Sequence, residues 1–311
     1  MTTALLIRNP VSRTRLSDAN LAAVIAVAVA AGWQIETIST ERDGHATDLA
    51  REAAARGVDV VVVYGGDGTI NEAINGLAGS ETALAVMRGG TANVWAKETQ
   101  CANDPVAAMR AIVSGVRRRV DLGRANGRYF LLMAGLGLDA AIVPRVGART
   151  KRRLGALAYI IAGVPAALRT KPWRVHMIVD GAPTDTLLYF MLLGNTRSYG
   201  GVTNITYRAQ ADDGMLDLAL MRRGGVLRLL LDGIRLLFRR HDRSPNVTYA
   251  TVKSVDIETP GVPVQIDGEA FGETPMRFEI APLALAVIVP RDLDTPLFGA
   301  SELDSPQRHG G

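Results

Sequence analysis

Val60-Val61-Val62-Val63-Tyr64-Gly65-Gly66-Asp67-Gly68-Thr69 is the most telling stretch of this chain. Four consecutive valines leave no polar face, which suits a strand buried on both sides in a parallel sheet. Three glycines around one aspartate then mark a junction from that strand into a helix. Glycine lets the backbone approach a phosphate, and a helix N-terminus offers free amides and the positive end of a dipole. Open α/β sheets bind ligands at such strand ends. The aspartate would meet phosphate as a like charge, so it suits Mg2+, held directly or through water. The stretch lacks the Gly-Lys-Ser/Thr of a P-loop and the Gly-x-Gly-x-x-Gly of a dinucleotide fingerprint.

On either side of this junction, strands are expected over 4–8, 33–39, 58–64 and 82–87, and helices over 18–31, 45–56, 69–77 and 105–113. That alternation predicts a parallel sheet covered on both faces. Met87-Arg88-Gly89-Gly90-Thr91-Ala92-Asn93 repeats the glycine arrangement one strand later, and Thr91 and Asn93 offer hydrogen bonds to nucleotide or phosphate oxygens. Asn9-Pro10-Val11-Ser12-Arg13 follows the first strand and Thr40 the second, so all of these face one crevice. The apolar run 21–32 is too short to span a bilayer and has Ser17 or Asp18 as an N-cap, so it reads as a core helix of a βαβ unit rather than a signal peptide.

The character changes near residue 122. Asn126-Gly127 and Asp180-Gly181 sit between apolar runs as hairpin signals, and strands are expected over 187–194, 216–221, 247–257, 262–266 and 283–289. Helices interrupt over 155–169 and 226–240. The expected fold is therefore an α/β N-terminal domain with a parallel sheet, residues 1–122, followed by a mostly antiparallel β-sandwich domain, residues 123–290. The segment 291–300 is expected to pack back on the first domain, and the polar tail 301–311 to be flexible.

The chain has 311 residues, 48% apolar and 21% charged, which excludes disordered and fibrous classes. Cys101 is the one cysteine, so an intrachain disulfide and a cysteine zinc site are excluded. The net charge of +4 is too small to argue for nucleic acid by itself. Gln265-Ile266-Asp267-Gly268-Glu269 reads as strand, turn and then a carboxylate, which is either a solvated Glu after a hairpin turn or a base offered to the crevice from the opposite domain, such as a kinase acting on a hydroxyl needs.

These residues carry a resemblance. Asn9-Pro10, Gly65-Gly66-Asp67-Gly68-Thr69, Gly90-Thr91-Ala92-Asn93, Gly135-Leu136-Gly137-Leu138-Asp139-Ala140 and Asp267-Gly268-Glu269 occur in the order seen in the diacylglycerol kinase catalytic-domain family, which includes sphingosine and ceramide kinases. The resemblance spans residues 4–290. It implies an ATP- and Mg2+-dependent kinase that phosphorylates a lipid hydroxyl. It implies ATP contacts at Asn9, Pro10, Ser12 and Arg13, at Thr40, from Gly66 through Asp67, Gly68, Thr69 and Asn71 to Glu72, and at Thr91. Asp67 matches the aspartate of the Mg2+–water network, and Glu269 the general base. Gln210, Asp213 and Met215 match a structural Mg2+ site of bacterial members, with carbonyls from Gln210 and Met215 and the Asp213 carboxylate. The chain departs from the pattern at Val94, where many bacterial members carry a further aspartate supporting that network.

Lipid kinases work at membrane surfaces. The basic residues Arg145, Arg149, Lys151, Arg152 and Arg153 beside the apolar stretch 154–161 suit docking on anionic lipid. The expectation is a cytoplasmic enzyme, peripheral at the membrane, with no nucleic acid partner; the oligomeric state and the acceptor lipid are open. Two alternatives stand beside it. A soluble-substrate kinase of the NAD kinase type shares Gly-Gly-Asp-Gly, although Asn71-Glu72 follows the glycines too early for that family. A non-catalytic lipid- or nucleotide-binding regulator is motivated by Val94.

Overall fold

The computed structural model of the chain describes residues 1–142, 170–201, 203–223 and 244–299. The helices expected over 155–169 and 226–240, the basic–apolar stretch 143–169 and the tail 301–311 lie outside the described residues.

The first half alternates β1 (Thr3–Arg8), α1 (Asp18–Ala30), β2 (Gln34–Ser39), α2 (His45–Ala55), β3 (Val60–Gly65), α3 (Asp67–Leu77), β4 (Ala83–Arg88), α4 (Val94–Glu98) and α5 (Pro105–Val113). The sheet runs β2-β1-β3-β4, and every pair is parallel. β3 sits inside it with all six residues buried, as its valines require. Each fully buried valine is worth about 1.5–3 kcal/mol relative to exposure. The order reverses between β1 and β3, which makes their carboxyl ends the switch point where such sheets bind ligands.

α1 starts as expected, with Ser17 Oγ accepting from the Asn20 amide at 3.2 Å. It is not a core helix, however. Only Val24 and Ala28 are buried, because its alanines and valines cover all sides while one narrow stripe meets the sheet.

The second half contains β5 (Val116–Ala125), β6 (Arg128–Phe130), β7 (Met133–Gly137), α6 (Leu138–Ile142), β8 (Trp173–Val179), β9 (Ala182–Leu188), β10 (Phe190–Gly194), β11 (Leu216–Met221), β12 (Val247–Val252), β13 (Ser254–Ile257), β14 (Pro263–Ile266), β15 (Glu269–Glu273) and β16 (Met276–Val289). One layer, ordered β12-β11-β10-β7-β14-β15, is antiparallel throughout. The other layer continues the first sheet: β4 pairs with β16, then β13, β8 and β9 follow, with β5 also on β16 and β6 on β5. Phe130, Leu136, Val175, Leu193, Leu218, Val255 and Phe278 fill the space between the layers. Asn126-Gly127, Asp180-Gly181 and Asp267-Gly268 all have positive φ at both residues, as two-residue hairpin turns require.

Two expected strands are each two strands. The run 187–194 breaks at Tyr189, so β9 and β10 lie in different layers, and 247–257 breaks at Lys253, so β12 and β13 do as well. Each break is a sandwich corner with its own backbone partners. Tyr189 donates to Met221 O and accepts from Leu138 N, and Asp180 Oδ1 takes the Lys253 and Ser254 amides at 2.8 Å each. β16 is a 14-residue strand, reaching well before the expected 283–289, and serves both halves. Its bend at Leu283 is held by the buried Asp121, whose two oxygens accept from Leu283 N and Gly214 N at 2.6 Å each. The segment after Pro290 lies against the first half: Phe298 meets Trp95 edge-on, and Gln100 Nε2 donates to Asp294 O.

Candidate active site

The site forms where β1, β3 and β4 end. Asn9 is tied down three ways: its amide donates to Tyr64 O, its Nδ2 to Thr69 Oγ1 at 2.9 Å, and its Oδ1 takes the Val11 amide. The loop 9–13 therefore lies across the α3 N-terminus, with the Thr14 amide bonded to Gly89 O. Thr40 sits beside it through its amide to Arg8 O.

The glycines are there because the loops nearly touch. A methyl added to Gly90 would stand 2.5 Å from Gly66 Cα, and one on Gly89 3.1 Å from Gly65 Cα. No side chain fits between them. Asn93 closes the second loop on itself, accepting from Gly90 N and donating to Gly90 O, with φ 48°. Thr91 is half-buried in the same loop.

Asp67 opens α3, and its Oδ1 accepts from the Val94 amide at 2.8 Å. It thereby caps α4, whose Val94 and Trp95 side chains are buried in the core. Val94, where the chain departs from the expected pattern, is thus spent on packing. Glu72 reaches to α2: its carboxylate takes the Ala46 amide, capping that helix where Gly44 has no side chain to do so.

Glu269 comes from the other half of the molecule. A methyl on Gly68 would stand 2.5 Å from Glu269 Oε1, so this carboxylate lies directly over the first turn of α3. Arg128 Nη2 is 3.9 Å from Glu269 Oε2, and Arg128 also donates to Asn71 Oδ1. The turn carrying Glu269 is held by Asp267. Its buried carboxylate accepts from Asn71 Nδ2 at 2.8 Å and from the amides of Leu131, Leu132 and Met133. Burial pushes the Asp267 pKa up, while these donors pull it down. Asn71 therefore bolts α3 to the turn that precedes Glu269.

Gln210, Asp213 and Met215 lie elsewhere, below the bend of β16. Asp213 Oδ1 accepts from Met215 N at 3.0 Å, and Gly214 N donates to Asp121. Burial, and then the charges of Asp121 and Asp212, push the Asp213 pKa up. Among the described residues, no three His, Cys, Asp or Glu side chains converge as a complete metal cage.

Sequence reasoning assigned no role to Asp121, Arg128, Asp139, Tyr199 or Gln265. The available signal was glycine: a methyl on Gly135 would stand 1.6 Å from Asp139 Oδ2 and 2.4 Å from Gln265 Nε2. Gly135-Leu136-Gly137-Leu138-Asp139 thus encodes a buried side-chain pair.

The diacylglycerol kinase catalytic domain model matches residues 3–125, and the YegS C-terminal NAD kinase beta sandwich-like domain model matches residues 133–289. The chain is 29% identical over 296 residues to a diacylglycerol kinase of Bacillus subtilis (strain 168), covering 94% of this chain and 98% of that one. It is 30% identical over 297 residues to a diacylglycerol kinase of Staphylococcus aureus (strain JH9), covering 93% of each. A crystal structure of a diacylglycerol kinase from Bacillus anthracis str. Sterne superposes with a TM-score of 0.77 at 27% identity, covering 92% of this chain and 96% of that one. Two glycine loops at a switch point, a carboxylate delivered from a sandwich domain and similarity along both halves lead to one conclusion: the chain belongs to the diacylglycerol kinase family of lipid kinases.

Proposed function

We propose that the protein transfers the γ-phosphate of ATP to the hydroxyl of a lipid, with Glu269 as general base. The observation that carries this is the Glu269 carboxylate over Gly68, at the N-terminus to which a phosphate would bind. The amides of the first α3 turn would hold the phosphates. Asn9, Ser12 and Arg13 would cover them from one side, and Thr40, Thr91 and Asn93 would border the nucleotide. Gly65, Gly66 and Gly68 leave room for it, Thr69 and Asn71 hold the loops, and Glu72 supports α2. Glu269 would take the hydroxyl proton as the oxygen attacks phosphorus.

Mg2+ fits the donor set, since it is commonly bound through one or two carboxylates plus substrate phosphates rather than by a protein cage. Asp67 would hold it through its carboxylate, and the ion would supply charge compensation on the transferring group. A second cation at Asp213, with the carbonyls of Gln210 and Met215, would relieve the repulsion among Asp121, Asp212 and Asp213. The division of labour follows residues 1–122 for nucleotide and 123–290 for lipid.

Among the described residues, no helix is long and apolar enough to cross a membrane. A cytoplasmic enzyme meeting anionic membrane peripherally is the reading that the basic–apolar stretch 143–169 supports. The test is transfer of labelled γ-phosphate to a panel of diacylglycerol, ceramide, sphingosine and phosphatidylglycerol, with NAD as a soluble acceptor. Wild type is expected to label one lipid class, and Asp67→Asn and Glu269→Gln to lose it. Wild-type rates in both variants, or labelling of NAD alone, would overturn the proposal.

A further inference from the structure

Glu269 sits on a two-residue turn, and that turn is gripped from two sides. Asp267 and Asn71 grip it from the nucleotide side. The other grip is a buried relay. The Gly268 amide donates to Gln265 Oε1 at 2.7 Å, Gln265 Nε2 donates to Asp139 Oδ2 at 2.7 Å, and Tyr199 Oη donates to Asp139 Oδ1. Asp139 is 2% exposed and Gln265 3%, so neither bond competes with water. The direction of the relay is forced. Gly268 N–H needs an acceptor and the carboxylate needs donors, so the Gln265 amide has only one orientation that serves both.

The relay also closes a ring. Asp67 caps α4 through Val94 N, and Glu98 at the other end of α4 takes the Arg197 and Ser198 amides at 3.1 and 2.5 Å. The next residue is Tyr199, which leads through Asp139 and Gln265 back to Gly268 and to Glu269 beside Gly68. The metal-side aspartate and the base are thus joined by one path through the sandwich.

We propose that Asp139 and Gln265 are positioning residues that hold the Gly268–Glu269 turn so that the Glu269 carboxylate stays over the α3 N-terminus. This rests on the reading of Glu269 as base. In Asp139→Asn one acceptor oxygen is lost: with Tyr199 Oη donating to the oxygen that remains, the amide N–H groups face Gln265, which rotates to offer its oxygen and leaves the Gly268 N–H facing another N–H. The turn loses its anchor, while the nucleotide loops keep every bond of their own. In the double variant Asp139→Asn/Gln265→Glu, the introduced carboxylate accepts from both the introduced amide and the Gly268 N–H, which restores the donor–acceptor order and the charge.

The test is steady-state kinetics on the best lipid of the panel, with circular dichroism melts to confirm folding. Asp139→Asn is expected to lower kcat by about 10²-fold, the cost of displacing a catalytic group by about 1 Å, with KM for ATP unchanged. The double variant is expected to recover most of kcat, which a merely structural role would not predict. Tyr199→Phe, which removes one Asp139 partner, gives a smaller loss in kcat and serves if Asp139→Asn fails to fold. The inference is overturned if Glu269→Gln is inactive while a folded Asp139→Asn, or Tyr199→Phe in its place, turns over like wild type. It is equally overturned if the double variant folds and is no faster than Asp139→Asn. If Glu269→Gln keeps the wild-type rate, the base assignment fails first and the positioning role fails with it.

Discussion

Gly68→Ala separates the stability of this fold from its chemistry. The added methyl would stand 2.5 Å from Glu269 Oε1. An ordinary carbon–oxygen contact begins nearer ~3.2–3.5 Å, so the carboxylate must retreat by roughly 1 Å. It can do so cheaply, because its side chain is 54% exposed and only its far end is touched. No backbone atom is in the way, and Gly68 lies within α3, where alanine is the better helix former by about 0.8–1 kcal/mol. The expected result is a protein as stable as wild type or up to ~1 kcal/mol more stable. With Glu269 read as the base, its ~1 Å displacement is expected to lower kcat about 10²-fold. The assay pairs urea unfolding with initial rates at saturating ATP and lipid. Full activity in a normally folded Gly68→Ala would refute the argument that Glu269 must occupy the space above Gly68. So would a loss of stability that matches the loss of rate.

Gly76→Ala should do the reverse: its methyl would stand 2.4 Å from Thr47 O and 2.7 Å from Arg51 N, so α2 and α3 must part, costing about 1–3 kcal/mol in urea melts with kcat retained in the folded fraction. Asp139 has its pKa raised to about 6 by burial, against 3.8 for the free group, so the folded state takes up a proton before the unfolded state does. Stability carried by this group therefore rises as pH falls from above ~6 towards ~4, by at most ~3 kcal/mol. Comparing wild type with Asp139→Asn in urea at about pH 7.5, 6 and 4.5 should show wild type gaining on the variant as pH falls; a constant difference would refute it. If the Asp213 site holds Mg2+, saturating Mg2+ at about 100 times its Kd adds about 2.7 kcal/mol to wild type. Chelation should then lower the wild-type melting temperature and leave that of Asp213→Asn unchanged, as read by differential scanning fluorimetry.

Much of this was legible in order along the chain. Residues 60–69 declare a buried strand, a glycine turn and a helix because each of those states has a local chemical requirement. Valine fills both faces, glycine permits close approach, and the helix begins where Asp67 stands. The hairpins at Asn126-Gly127 and Asp180-Gly181 were equally local, because positive φ at two successive residues restricts which side chains are used. The corners at Tyr189 and Lys253 were not, since a run of strand-favouring residues looks the same whether its chain stays in one sheet or crosses to another.

The site divides the same way. Residue types at the strand ends and in Asp267-Gly268-Glu269 already single out the loops to which the proposed chemistry is assigned. What each residue touches emerges only when the chain is folded. Asn71 and Asp267 meet across 196 positions, Gln265 and Asp139 across 126, and Val94 is a core residue whose amide binds Asp67. Contacts at such separations depend on how β16 carries one sheet through both halves of the molecule. That path is set by packing and by the buried Asp121 at its bend, which no local pattern announces.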